Sequence, residues 1–326
     1  MKKVAFFILA VFFILKVSAQ TATGITIDPS LNETPVLVKT LAGSISGSLV
    51  VPKNLTGKIP VVLIVADAGP TDRNGNNTKT GLNGNTYKLL ANDLGKKGLA
   101  TLRYDKRLVG ESISVTKESQ LHMEDYSDDA TVLINMLSED QRFSKIILFG
   151  HGEGALVSMI AAFDQPAVKA YISAEGHAET GEKILTDEIK SKSGFMIDKF
   201  KAILDSLKKG KTTPNVDPSL YYIARPSIQP FIMSWCRYDP IRILKKIKIQ
   251  VLIIQGNTDL VVADYNGDKL KKVKSDAILL NIKDMNHILK DAPADPEKNV
   301  ATYANSDLPL KPELVPAIVD FINKVK

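Results

Sequence analysis

The residues with the clearest capacity for chemistry lie in Lys145-Ile146-Ile147-Leu148-Phe149-Gly150-His151-Gly152-Glu153-Gly154-Ala155, which reads as an apolar strand, a tight turn and the start of a helix. Two motifs fit that stretch. In the G-x-S-x-G elbow, glycines two before and two after a nucleophile let a sharp strand-to-helix turn pack where a Cβ would clash. Gly150 and Gly154 hold those places, with His151 and Glu153 between them, but the nucleophile's own place is Gly152, which has no side chain to attack with. The second motif is G-x-G-x-x-G/A, matched by Gly150, Gly152 and Ala155, with an acid, Glu175, twenty residues further on. On that reading the helix N-terminus would take the pyrophosphate of NAD or NADP, and Glu175 would take a ribose hydroxyl.

Downstream residues favour the elbow. Asp259 follows the apolar run 251–254, and His287 follows the next one, 278–280. Elbow, acid and histidine, each in the loop after a strand, come in the order of an α/β-hydrolase triad. Asp259 would then fix the tautomer and orientation of His287, the general base. His122 and His177 have no partners at metal-ligand spacing, so no metal site is expected. Loss of the serine from such a triad costs on the order of a million-fold in turnover, or roughly 8 kcal/mol of transition-state stabilisation. Ser158, one turn into the helix, and Ser173, on the neighbouring strand, are in the wrong places to replace it.

The elements that must position these residues are legible as short apolar runs. Residues 59–65, 99–102, 146–149, 170–172, 251–254 and 278–280 lack strand-type alternation, as expected of a sheet covered on both faces. Between them, 86–94, 126–137, 155–163 and 312–325 carry helical spacing. Ahead of them, 35–40 and 47–52 flank a Gly/Ser-rich turn and predict an antiparallel pair. The fold class is therefore α/β, a mainly parallel central sheet with N-terminal antiparallel strands. Residues 181–240 exceed a single crossover; helical over 184–207 and then looped at 212–215, they predict a helical lid inserted between two core segments, 20–180 and 241–326.

Composition sets the frame. The 326 residues are 44% hydrophobic and 24% charged, which excludes disordered and multi-span membrane classes. Residues 1–19 pair Lys2 and Lys3 with an apolar run over 4–15 and a Val17-Ser18-Ala19 ending, the pattern of a secretory signal peptide, so a secreted or periplasmic protein with no later membrane span is expected. Removing that segment takes away Lys2, Lys3 and Lys16 and lowers the formal charge from +6 to +3, which calls for no nucleic-acid partner. The single cysteine, Cys236, excludes an internal disulfide.

With these motifs in view, the chain resembles secreted bacterial α/β-hydrolases of the EstD-like esterase type, over nearly all of its length after the signal segment. The resemblance is carried by Gly69-Pro70-Thr71-Asp72-Arg73-Asn74-Gly75-Asn76, by Leu102-Arg103-Tyr104-Asp105-Lys106-Arg107, by Tyr238-Asp239-Pro240 and by Met285-Asn286-His287. It implies a cofactor-free carboxylic ester hydrolase acting on a small acyl ester, with backbone N–H groups near Ala68 and at Glu153 forming the oxyanion hole. Three positions depart from the pattern. Gly152 replaces the serine, Asp67-Ala68-Gly69 stands where the family resembles G-S-G, and Leu108 follows Lys-Arg where glycine is usual. The expectation is a hydrolase that has lost its nucleophile, a pseudoenzyme or strongly impaired esterase. Two alternatives remain: water activated directly by His287 and Asp259 in the space a serine would fill, and a dinucleotide-binding oxidoreductase using Gly150, Gly152, Ala155 and Glu175.

Overall fold

The computed structural model describes residues 25–326. The expected signal segment, 1–19, lies outside the described residues. Eight strands form the main sheet: β1 (Leu31–Thr40), β2 (Gly43–Pro52), β3 (Ile59–Val65), β4 (Ala100–Tyr104), β5 (Phe143–His151), β6 (Val168–Ala174), β7 (Gln250–Gly256) and β8 (Ile278–Ile282). Their spatial order is β1-β2-β4-β3-β5-β6-β7-β8, with the short strand Ile113–Ser114 pairing with β2 off this path. β1 and β2 run antiparallel to their neighbours, and every pair from β4 to β8 is parallel. A mainly parallel sheet with an antiparallel N-terminal edge is thus present as expected.

The continuous apolar runs have a direct cause in the two covered faces. Val61, Leu63 and Val65 of β3 and Ile146 and Leu148 of β5 face one way, into a core shared with α2 (Met123–Glu139) and α3 (Glu153–Ala162). The alternate residues Val62, Ile64, Ile147 and Phe149 meet α1 (Thr86–Lys96) and the C-terminal helix Leu314–Lys324 on the other face. Most of these strand side chains are fully buried, so the sheet supplies the bulk of the hydrophobic stabilisation.

Between β6 and β7 the chain forms α4 (Gly181–Ser193), α5 (Ile197–Lys208) and shorter helical turns through Gln229–Trp235. The uninterrupted helix suggested for 184–207 is divided by a 3₁₀ turn at Gly194–Met196, where Gly194 weakens helix propagation. These helices gather their own apolar cluster around Ile189, Phe200, Leu204 and Leu220, and Trp235 joins it to the main core. Among the described residues no helix is long and apolar enough to cross a membrane.

Candidate active site

The elbow forms as its glycines require. A Cβ on Gly150 would stand 2.4 Å from the Gly154 oxygen, and one on Gly154 would stand 2.4 Å from the Val65 oxygen, so the turn closes only with glycine at both places. Gly152 sits at φ 53°, ψ −118°, between the end of β5 and the start of α3. It is the position from which a nucleophile would point out of the sheet. That point is filled from elsewhere: a Cβ built on Gly152 would lie 1.9 Å from Oδ1 of Asp67 and 2.5 Å from its Cγ.

Asp67 follows β3, and its backbone is held on both sides. Its N–H donates to the Tyr87 hydroxyl at 2.8 Å, and the buried Lys106 ammonium donates to its carbonyl oxygen. Its carboxylate then takes the groups that serve a serine triad. Oδ1 accepts the Glu153 N–H at 2.9 Å, and Oδ2 meets Nε2 of His287 at 2.9 Å. Of the two backbone donors expected to form the oxyanion hole, Ala68 and Glu153, the Glu153 N–H therefore serves the Asp67 side chain.

His287 and Asp259 meet as expected. Nδ1 of His287 lies 2.8 Å from Oδ2 of Asp259, whose side chain is 0% exposed and whose Oδ1 accepts the N–H groups of Val261 and Val262. The loop carrying His287 is pinned by Asn286, which donates to Thr302 and accepts the Lys290 N–H. Burial opposes charge on all three groups, but mutual attraction outweighs it. The charge and hydrogen bond of His287 hold the Asp67 carboxyl well below the usual carboxylate range, and Asp259 is lowered in the same way. Asp259 and Asp67 together hold the His287 imidazolium well above its ordinary value. The site is thus a buried chain of carboxylate, imidazolium and carboxylate.

This arrangement corrects the water-activation reading. The volume that a serine would have left is occupied by Asp67, and Nε2 of His287, which would have to accept a proton from water, already carries one. His151, inside the elbow, is neutral: burial and the neighbouring charge of His287 push it down to about 4. Its Nδ1 accepts from the Tyr87 hydroxyl at 2.8 Å and its Nε2 donates to the His287 carbonyl at 2.7 Å. Asp67, His151 and His287 bring ligand-type atoms within 4.8 Å of one another, a proximity that sequence spacing could not reveal because they come from three distant segments of the chain. In the state described, both nitrogens of His151 and both of His287 are engaged, leaving no imidazole lone pair for a cation.

The dinucleotide reading fails on two counts. A pyrophosphate at the start of α3 would meet the Asp67 carboxylate, which already accepts the Glu153 N–H. Glu175 is 0% exposed; its Oε1 accepts the Gly256 N–H at 2.7 Å and its Oε2 accepts from Gln255. It cannot reach a ribose. Burial and the adjacent Asp259 raise its pKa well above the carboxyl range, so it stands as a neutral acid behind the triad. Ser158 points into packing, fully buried with an unpartnered hydroxyl. Leu108 lies at φ 64°, which gives the family's glycine there a physical reason.

A cavity of about 510 Å³ opens beside the Asp67 carboxylate. His287 and Tyr87 line its base, and Leu82, Val261, Ile288, Val300 and Tyr303 give it a largely apolar wall. Residues 181–240 contribute nothing to this lining. Tyr221 and Tyr222 are 50% and 47% exposed, whereas Phe231 and Trp235 pack against the main core. Tyr87 and Lys106 are the site residues that the sequence did not reveal. Tyr87 looks there like one more apolar position of α1, and Lys106 stands out only as a member of the 102–107 motif, with no role attached to it.

Known proteins bear on this arrangement. A family model described as serine aminopeptidase, S33, matches residues 81–208. Esterase EstD of Thermotoga maritima is 25% identical over 274 residues, which cover 81% of this chain and 61% of that protein, so the chain spans less than two thirds of the relative's length. Among solved structures, Est1E of Butyrivibrio proteoclasticus with bound ferulic acid aligns with a TM-score of 0.59 at 16% identity, over 89% of this chain and 98% of its own. An esterase of Pyrococcus furiosus aligns at 0.58 and 13% identity, over 91% and 92% of the two chains. Strand order, the elbow after β5 and these structural likenesses agree: the chain has the α/β-hydrolase fold.

Proposed function

We propose that this chain is an α/β-hydrolase of carboxylic ester hydrolase type in which the serine route is closed, and that it has lost or nearly lost serine esterase activity. One observation carries the reading. The Asp67 carboxylate lies where the side chain of residue 152 would begin, 1.9 Å from a Cβ built there, and takes the Glu153 N–H of the oxyanion hole. The likeness to esterases supports the substrate class, a small acyl ester or similar uncharged ligand in the cavity beside Asp67, bound without a cofactor. The resemblance also suggests how the change arose. Where the family pattern has glycine at 67 and serine at 152, this chain has aspartate and glycine, a reciprocal exchange of side chains between two touching positions.

The N-terminal segment supports a secreted or periplasmic location, and residues 181–240 are proposed as a lid that rests on the flank formed by α2. The test is turnover of p-nitrophenyl acetate and butyrate by the wild type, by Gly152→Ser and by the double variant Asp67→Gly/Gly152→Ser. The reading expects background rates for the wild type and strong turnover for the double variant alone. Substantial wild-type turnover, unchanged by either substitution, would overturn it.

A further inference from the structure

The machinery around Gly152 is intact except for the serine, and Asp67 occupies the serine's place with one oxygen on the Glu153 N–H and the other on His287. Its side chain is 23% exposed and lines the apolar cavity, so the carboxylate is open to a ligand that enters there. A group that merely plugged the site would not need a histidine oriented by a buried acid behind it. We propose that Asp67 is a relocated nucleophile that attacks an electrophilic sp³ carbon, and that the substrate is a small uncharged alkyl halide or epoxide. The proposal rests on the reading above that no serine acts here.

The chemistry selects that carbon. A carboxylate attacking an ester carbonyl would form an anhydride and expel a far more basic alkoxide, so the intermediate would return to reactants. Attack on an sp³ carbon instead forms a stable ester. With an alkyl halide, an Asp67 lone pair forms the new C–O bond, the carbon–halogen bond breaks, and its electron pair leaves with the halide; with an epoxide a ring C–O bond breaks instead, its electron pair stays on the ring oxygen, and that oxygen takes up a proton from solvent. The candidate donor for the departing anion is the Tyr303 hydroxyl. Thr71, Thr80, Thr86 and Tyr87 all line the cavity with hydroxyls already bonded within the protein, whereas the buried Tyr303 hydroxyl on the same wall has no partner.

The second half follows from the charge chain. Esterified Asp67 is neutral, so one of the two carboxylates holding the proton on His287 is gone, and that proton passes to solvent. His287, still oriented by Asp259, now takes a proton from water, and the hydroxide attacks Cγ of Asp67 while the Glu153 N–H holds the oxyanion. Collapse expels the alkoxide, which receives the proton from His287. The acid proton of Asp67 returns to His287, and alkyl halide plus water have become alcohol, halide and a proton.

The probes are 1-bromobutane and 1,2-epoxybutane. Wild type is turned over in ¹⁸O-water and the peptide containing Asp67 is weighed. His287→Gln, which cannot complete the second half, is examined for a stable adduct by intact mass, with Asp67→Asn as its partner variant and melting curves confirming that both fold. The expected results are ¹⁸O in the Asp67 carboxylate, a one-to-one adduct on Asp67 in His287→Gln, its loss in Asp67→Asn, and slower bromide release in Tyr303→Phe. Absence of product and adduct with both probes would overturn the proposal. Product formed with no label in Asp67, or at an undiminished rate in Asp67→Asn, would do the same. Ester turnover by the wild type would defeat the preceding reading instead, and the ¹⁸O label separates the two failures.

Discussion

Restoring serine at position 152 without touching Asp67 is predicted to damage the fold rather than repair the enzyme. The new Cβ would stand 1.9 Å from Oδ1 and 2.5 Å from Cγ of Asp67, well inside contact, at a backbone φ of 53° where any L side chain is strained. Overpacking of this kind costs about 1–3 kcal/mol and the backbone strain about 1–3 kcal/mol more. Driving the carboxylate aside also strips His287 of a charge partner. Gly152→Ser should therefore lose about 3–5 kcal/mol, which for a chain of this size lowers Tm by roughly ten degrees. Asp67→Gly gives up its own charged hydrogen bonds, about 1–3 kcal/mol, but removes the clash. The double variant should be more stable than the sum of the singles by about 2 kcal/mol or more, a coupling that a double-mutant cycle of Tm or urea midpoints reads directly. It should also hydrolyse p-nitrophenyl butyrate at least ~100-fold faster than wild type, since the oxyanion hole and the His287–Asp259 pair are released for use. Strict additivity, with Gly152→Ser melting within a degree of wild type, would refute the reasoning.

Two further outcomes follow from strained or buried groups. Leu108 holds a left-handed conformation at φ 64° with its side chain 47% exposed, so Leu108→Gly should raise stability by about 0.5–1.5 kcal/mol; a lower Tm would contradict this. Stability should also form a dome in pH. His151 and His177 are both lowered by burial and by the charge of His287, from 6.5 to about 4, so the unfolded chain binds protons first; stability is full above 6.5 and lost as pH falls toward 4, by roughly 3 kcal/mol for His151. His287 is shifted upward, so its contribution is complete below 6.5 and lost as pH rises through its folded value. Urea midpoints at pH 4.5, 6.5 and 9 check both limbs, and a midpoint that did not fall between 6.5 and 4.5 would refute the acid limb.

What could be read from the sequence was what depends on local pattern. The strands announced themselves as unalternating apolar runs because α1 and α2 with α3 cover opposite faces, and Gly150 with Gly154 marked a turn that only glycine permits. Asp259 and His287 could be paired because each follows a strand of a parallel sheet, and such strand ends converge on one edge. Asp67 stood out as a departure, but its position over Gly152 depends on a contact between loops 86 residues apart and on the Tyr87 and Lys106 anchors of its backbone. Nothing periodic encodes such a contact. The break at Gly194 in the inserted helix was visible as a residue type but was outweighed there by the helical spacing around it.

The central claim is that His287 stands between two carboxylates as a charged imidazolium, with Asp67 in the serine's place. Nitrogen-15 NMR of the histidine side chains at pH 7 tests it most directly. The account predicts that both ring nitrogens of His287 carry protons in the wild type, each in a strong hydrogen bond, and that Asp67→Asn returns the ring to a neutral form with a proton on Nδ1 only. A wild-type His287 with a bare Nε2 at that pH, unchanged by Asp67→Asn, would contradict the account.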